Sequence, residues 1–147
     1  FSHAFALFNV LNYLQSEEDL KKCLKVLRLA LKPEGFLFFD VWSAEKTEIG
    51  TQSKRRYFSF EEAQMLVEIT TKVPKNKKTA SLKYTFTGEN MATNYKSYQF
   101  TINLWKKDQL EKGLKEAGFK AISSVNLNNE KKNKSVSDIG HLFYARA

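Results

Sequence analysis

The 147-residue chain has one cysteine, six glycines and two histidines, and no apolar run reaches the ~20 residues that a membrane-spanning helix requires. Each scarcity excludes something. Cys23 alone forms neither an intrachain disulfide nor a cysteine metal cluster, which fits a reducing, cytosolic compartment. No stretch joins a charged start, an apolar middle and a small-residue cleavage site, although a chain that opens in mid-strand can have lost its true start. No internal repeat is present. The length suits one domain with a real core and is short for two, while 42% hydrophobic and 14% aromatic residues rule out a disordered chain. The formal charge of +8 bears on nucleic acid only if it gathers on one face, and here it is scattered. Lys72, Lys75, Lys77 and Lys78 surround a turn, Lys131, Lys132 and Lys134 fall in a polar loop, and Lys54, Arg55 and Arg56 precede an aromatic segment. No base-reading motif accompanies them, so solvated loop charge is the preferred reading.

The pattern along the chain is that of an α/β protein. Residues 1–7 (FSHAFAL) form a short apolar run that suits a buried strand, and a domain that opens on a buried central strand implies polypeptide before it. Ser16-Glu17-Glu18-Asp19 is a helix start: a hydroxyl positioned to accept from free amides, with acidic residues in the first turn. Leu20, Leu24, Leu27 and Leu31 recur at helical spacing, Lys32-Pro33-Glu34-Gly35 ends the helix, and residues 36–41 (FLFFDV) read as a strand covered on both faces. Strand, helix, turn and strand make a βαβ unit, which implies a parallel sheet.

Residues 42–59 read as an irregular polar crossover loop. Beyond them the period becomes two: Met65, Val67 and Ile69, then Ala80, Leu82, Tyr84 and Phe86, form a hairpin about Pro74-Lys75-Asn76-Lys77. A turn at Gly88-Glu89-Asn90 leads to a third run over residues 95–104. A second helix carries Leu110, Leu114 and Ala117 and ends at Gly118, where a left-handed cap is natural. Residues 121–127 and 141–147 then close the chain as an antiparallel pair about a polar loop over residues 128–138. The expected division is a βαβ core over 1–41, a loop and antiparallel insertion over 42–104, and a late helix with closing strands over 105–147.

Four segments in this order resemble the later part of a class I, Rossmann-like S-adenosylmethionine-dependent methyltransferase. FALFNVLNYLQSEEDL (residues 5–20) is similar to the end of that family's fourth strand and the loop beneath the methionine part of the cofactor. VLRLALKPEGFLFFDVW (residues 26–42) resembles its helix, Leu-Lys-Pro-Gly-Gly-type turn and fifth strand, with Glu34 where a second glycine is common. LWKKDQLEKGLKEAGFKAI (residues 104–122) resembles the late helix and sixth strand, and HLFYARA (residues 141–147) the antiparallel last strand. The fold implied is an incomplete methyltransferase sheet, later strands only, with an antiparallel β insertion of the kind that some small-molecule methyltransferases carry. No Gly-x-Gly turn follows a strand, and no acidic residue ends a second strand to hold ribose hydroxyls, so both would precede Phe1. Ser2 stands where the family often has Asp.

The resemblance implies S-adenosylmethionine as cofactor in the complete domain, with Leu7, Phe8, Asn9 and Tyr13 on the cofactor side. Asn12, Asp40, Trp42 and Tyr57 are the expected acceptor-side residues. Open α/β sheets bind ligands beyond the carboxyl ends of their strands, where Phe8, Asn9, Asn12, Tyr13 and Asp40 fall. The bland alternative is that Phe8 and Tyr13 pack beneath the helix and the asparagines cap turns. Asp40 orients an amine or hydroxyl, or caps the next loop. Trp42, Tyr57, Phe58 and Phe60 line a cavity or simply pack. Methyl transfer needs in-line placement more than a dedicated base, so no catalytic residue is assigned. His3 and His141 read as core or edge histidines, and no metal is expected.

The expected function is methyl transfer to a small molecule, with this chain alone inert. Its rival is a non-catalytic assembly module that pairs, as a homodimer or with another chain, through an exposed first strand. A basic RNA-binding domain is the third class, and it requires steeply salt-dependent binding.

Overall fold

Ser16 begins the first helix as its spacing requires: its hydroxyl accepts from the Asp19 amide at 3.0 Å, and Glu17, Glu18 and Asp19 occupy the positive end of the helix dipole. In the computed structural model, which describes residues 1–60, 63–88, 96–126 and 140–147, this helix is α1 (Glu17–Ala30). It joins β1 (His3–Ala6) to β2 (Phe36–Trp42), and the two strands pair in parallel from His3↔Phe36 to Ala6↔Phe39. The chain then runs through β3 (Gly50–Phe60), β4 (Ala63–Val73), β5 (Thr79–Gly88) and β6 (Lys96–Asn103) to α2 (Lys107–Glu116), β7 (Lys120–Asn126) and β8 (Gly140–Arg146).

Two compact units result. The first comprises residues 1–47 and 103–147, built on a four-stranded sheet of order β1-β2-β8-β7 in which β8 lies antiparallel to both neighbours. Leu37, Phe39 and Val41 of β2 and Phe143 and Ala145 of β8 form one core with Leu20 and Leu24 of α1 and Leu110 and Leu114 of α2. Every one of these nine side chains is 2% exposed or less, and burial at this level supplies the main drive to fold. The period of two places Phe36, Phe38 and Tyr144 on the opposite face, where their rings pack in stacked and tilted pairs with one another and with His3 and Phe5 at centroid separations of 5.1–6.4 Å.

The second unit, residues 48–102, is a sheet of order β3-β4-β5-β6. Its hairpin turns where expected, at Pro74 and Asn76: the Lys77 amide donates to the Pro74 carbonyl, and the Asn76 side chain accepts from the Lys78 amide.

Among the described residues β1 is an edge strand, with Ala4 and Ala6 against the core and Phe5 65% exposed. The two-sided burial expected of a central strand is not supplied by this chain, which leaves the exposed first strand that the sequence also leads us to expect. One expectation is corrected. Residues 42–59 are not a loop throughout, because β3 occupies all of them from Gly50 onward. Its largely polar residues hide the strand period, and it is held by backbone pairing to β4 together with cross-strand pairs such as Arg55–Glu68 and Ser53–Thr70. The turn residues Glu89 and Asn90, Tyr95, and the loop carrying Lys131, Lys132 and Lys134 lie outside the described residues, as does the side chain of Phe60.

The turn between α1 and β2 divides its demands between two residues. Gly35 is needed for close approach, since a Cβ there would meet the Lys32 and Ser2 carbonyl oxygens at 3.0 Å. Glu34 takes the left-handed conformation, φ 65°, and its side chain offsets the strain little, through an exposed ion pair to Arg146 at 3.1 Å. Relief of that strain exceeds the entropy a glycine loses on folding, so Glu34→Gly should raise stability by about 0.5–1 kcal/mol in urea denaturation.

Candidate functional site at the carboxyl end of the parallel strands

The parallel strands β1 and β2 end side by side, and the chain leaving β1 is bent sharply there. Leu7 is followed by two residues in left-handed conformation, Phe8 at φ 62° and Asn9 at φ 59°. Asparagine adopts this region readily, whereas a phenylalanine in it is uncommon. The Phe8 ring gains no packing in return, being 89% exposed. What fixes the bend is Asp40: its Oδ1 accepts from the Asn9 backbone amide at 3.1 Å. The Asn9 carbonyl then receives the Asn12 amide at 2.9 Å, which starts a 3-10 turn over Val10–Tyr13.

Asn12 is fully buried. Its Nδ2 donates to the carbonyls of Trp42 and Asn103 at 2.9 and 2.6 Å, and its Oδ1 accepts from the Trp42 amide at 3.0 Å. Both amide donors are therefore engaged by backbone, and the side chain holds the frame of this edge. Around it, Asn103 donates to the Leu14 carbonyl and the Trp105 indole donates to the Leu11 carbonyl at 2.8 Å. Trp105 also forms a parallel bridge with Ser43, and the Thr47 hydroxyl closes the turn after β2 by donating to the Ser43 carbonyl at 2.8 Å.

Leu7, Phe8, Asn9, Tyr13, Asn12, Asp40 and Trp42 thus come together at one edge of the first unit, with Leu7 and Tyr13 partly exposed at 45% and 49%. Tyr57 belongs to β3 of the second unit, where it faces Leu66 across the strand pair and is 74% exposed. Sequence reasoning passed over Trp105 and Asn103. Trp105 reads there only as the approach to a helix, and nothing local marks either residue as a partner of the 3-10 turn.

His141 pairs with Val41 and so stands at the same edge, on the core side with Phe143. Burial lowers its pKa, with Glu45 acting upward, Lys46 and Lys107 downward and Glu111 upward, in decreasing order. His3 is an exposed edge residue stacked on Phe36. Among the described residues no group of three or more His, Cys, Asp or Glu could hold a metal ion.

No protein-family model matches this chain, and no curated protein matches it in sequence. Solved structures do match it in three dimensions. DesVI of Streptomyces venezuelae superposes with a TM-score of 0.78 at 16% identity, over 99% of this chain and 58% of its own. CalS10, an amino pentose methyltransferase of Micromonospora echinaspora solved with S-adenosylmethionine bound, gives 0.79 at 14%, over 99% and 58%. An S-adenosylmethionine-dependent methyltransferase of Clostridium acetobutylicum gives 0.68 at 20%, over 99% and 58%. The chain accordingly has a class I methyltransferase-like fold, and it spans 58% of the length of each of these three structures.

Asn12→Ala would leave the Trp42 amide and the Trp42 and Asn103 carbonyls without their partner. Chemical denaturation should show a loss of about 2–4 kcal/mol. For His141 the lowered pKa means that the fold prefers neutral imidazole, while the unfolded chain gains its proton near pH ~6.5. Stability should be level above neutrality, fall as pH drops through that unfolded value, and flatten once the folded-state histidine is also protonated. Denaturation midpoints at several pH values should show this descent, with His141→Gln reducing it.

Proposed function

We propose that this chain is the acceptor-side part of an S-adenosylmethionine-dependent N-methyltransferase that acts on a small-molecule amine, and that the glycine-rich, cofactor-holding half lies on polypeptide preceding Phe1. The observation that carries the reading is the strand edge itself. Within a methyltransferase-like fold, Asp40 holds the Phe8–Asn9 bend with one carboxylate oxygen, and its other oxygen has no protein partner among the described residues. A carboxylate held in this way can take an ammonium or amine hydrogen and turn the nitrogen lone pair toward a sulfonium methyl, since in-line placement is the main requirement of this transfer.

The residues present fit one wall of a cofactor site. Leu7, Phe8 and the Asn9 backbone form a bent, partly apolar loop at the strand ends, with Tyr13 following in the 3-10 turn. When bound, S-adenosylmethionine supplies the electrophilic methyl group. This chain's own part is to shape that loop and to orient the amine. Support for the amine comes from CalS10, described as an amino pentose methyltransferase, and from KedS8, described as a sugar N-methyltransferase, which matches with a TM-score of 0.76 at 14% identity. A cytosolic setting fits the lone Cys23, and among the described residues no helix is long and apolar enough to cross a membrane.

A second reading has its own observation. β1 is an edge strand that carries Phe5 at 65% exposure, and such an edge is a template for pairing with a second copy or another chain.

The two readings part in one experiment: calorimetric titration of S-adenosylmethionine into the 147-residue chain and into the full natural polypeptide that contains it. The methyltransferase reading expects binding by the longer protein, release of S-adenosylhomocysteine when an amine is added, and no saturable binding by the shorter one. Tight binding by the short chain would overturn the assignment of the cofactor half to preceding polypeptide. A natural polypeptide that starts near Phe1, binds no cofactor and dimerises in light scattering would favour the pairing module.

A further inference from the structure

Two buried side-chain polar atoms among the described residues have no hydrogen-bond partner, Arg146 Nε and Trp42 Nε1. The guanidinium of Arg146 has other donors, and its Nη1 already meets Glu34 at 3.1 Å. An indole has a single polar atom, and it only donates. Trp42 is 4% exposed, so bulk water does not serve this donor, and a ligand reaches it only by displacing what covers it. The omission is local to one atom. The backbone amide and carbonyl of Trp42 are both satisfied by Asn12, and the chain's other indole, that of Trp105, donates to Leu11. A buried donor without an acceptor destabilises a fold, and native structures rarely keep one without a use for it.

Its position indicates the use. Side chains two apart on a strand share a face, so Trp42 and Asp40 project from the same side of β2, about 6.6 Å apart along the strand. Among the described residues, one position offers a donor with no acceptor, and the other an acceptor oxygen that no described donor meets. We propose that the Trp42 indole N–H is a substrate-binding donor: it takes an uncharged oxygen, hydroxyl or ether, of the molecule whose amine rests on Asp40. The inference depends on the reading of this edge as the acceptor side, and it adds a residue and an atom that set specificity. An amine that carries a suitably spaced oxygen satisfies both groups, whereas a hydrocarbon amine leaves the buried indole orphaned and is discriminated against.

Isotope-labelled protein tests this directly, because the two tryptophans give two indole N–H signals in a nitrogen–proton correlation spectrum, and Trp42→Phe assigns them. The probes are glucosamine, an amine with oxygens, and cyclohexylamine, an amine with none, each titrated into the 147-residue chain. Glucosamine should move the Trp42 indole proton downfield and slow its exchange, leaving Trp105 unmoved, while cyclohexylamine should shift the Asn9 amide beside Asp40 and leave the Trp42 indole in place. Trp42→Phe should weaken glucosamine about fivefold more than it weakens cyclohexylamine, the worth of one neutral hydrogen bond. A glucosamine shift at Asn9 with a stationary Trp42 indole would overturn the proposal and leave the acceptor-side reading intact. No shift at either position with either amine would overturn both. A Trp42 indole already hydrogen-bonded without ligand and unmoved by glucosamine would assign the donor to a trapped water and overturn the proposal, and this readout on the unaltered chain stands even if the variant fails to fold.

Discussion

The amide of Asn12 ties together three parts of the chain that are distant in sequence: the 3-10 turn that carries it, the end of β2 at Trp42, and Asn103 where the chain re-enters the first unit. A buried polar side chain is tolerable only when its hydrogen bonds are made, and here both amide hydrogens and the carbonyl oxygen find backbone partners. No other side chain of this size combines two donors and an acceptor at one planar tip, so aspartate or leucine would leave buried backbone groups orphaned. With Trp42 held through both its amide and its carbonyl, the end of β2 has little freedom. Asp40, two residues earlier, inherits that rigidity and passes it to the loop after β1 through the Asn9 amide. The candidate site is therefore fixed from beneath by a residue that does not itself face it.

Positive φ values of non-glycine residues separate local expedients from this shared constraint. Lys77 lies in the hairpin turn, and Ala121 where the pairing of β7 with β8 shifts register, so each follows from its immediate geometry. Glu34 occupies a turn position that glycine would fill with less strain. Phe8 differs from all three. It belongs to no turn between paired strands and its ring packs against little, yet it holds the left-handed region beside an asparagine whose amide is captured by Asp40. Strain that no packing explains and a carboxylate fixes is of the kind found where a loop must present its backbone to a ligand.

Much of the first unit was legible in the sequence because its signals are local and mutually consistent. Ser16 with its acidic successors marks a helix start, leucines at helical spacing mark one buried face, and Gly118 marks an end, where the structure has it at φ 92°. What could not be read depends on partners far along the chain. The asparagines in FNVLNY look alike as turn formers, yet Asn9 stays near the surface with its backbone engaged, and Asn12 goes to the centre because carbonyls from residues 42 and 103 arrive there. Strand β3 was hidden for a related reason: its stability lies in backbone pairing and cross-strand polar pairs, which leave no hydrophobic period to detect.

β2 also bears on what the aromatic face requires. A strand with one covered face needs apolar residues only at alternate positions, and Leu37, Phe39 and Val41 meet that need completely. Phe36 and Phe38 occupy the intervening positions and remain partly exposed, stacked with Phe5, His3 and Tyr144 in a ladder of rings. Solvation alone would permit polar residues there, and the stacking contributes less than full burial of the same rings would. The composition of this face is that of a sheet covered on both sides. Preceding polypeptide could cover the face and extend the edge, whereas a partner pairing through β1 extends the edge alone. Added strands would continue the sheet beyond β1 and set a further carboxyl end beside that of β1, as a ligand site at the strand ends requires, whereas pairing through β1 with a second copy would satisfy the edge without supplying a cofactor wall.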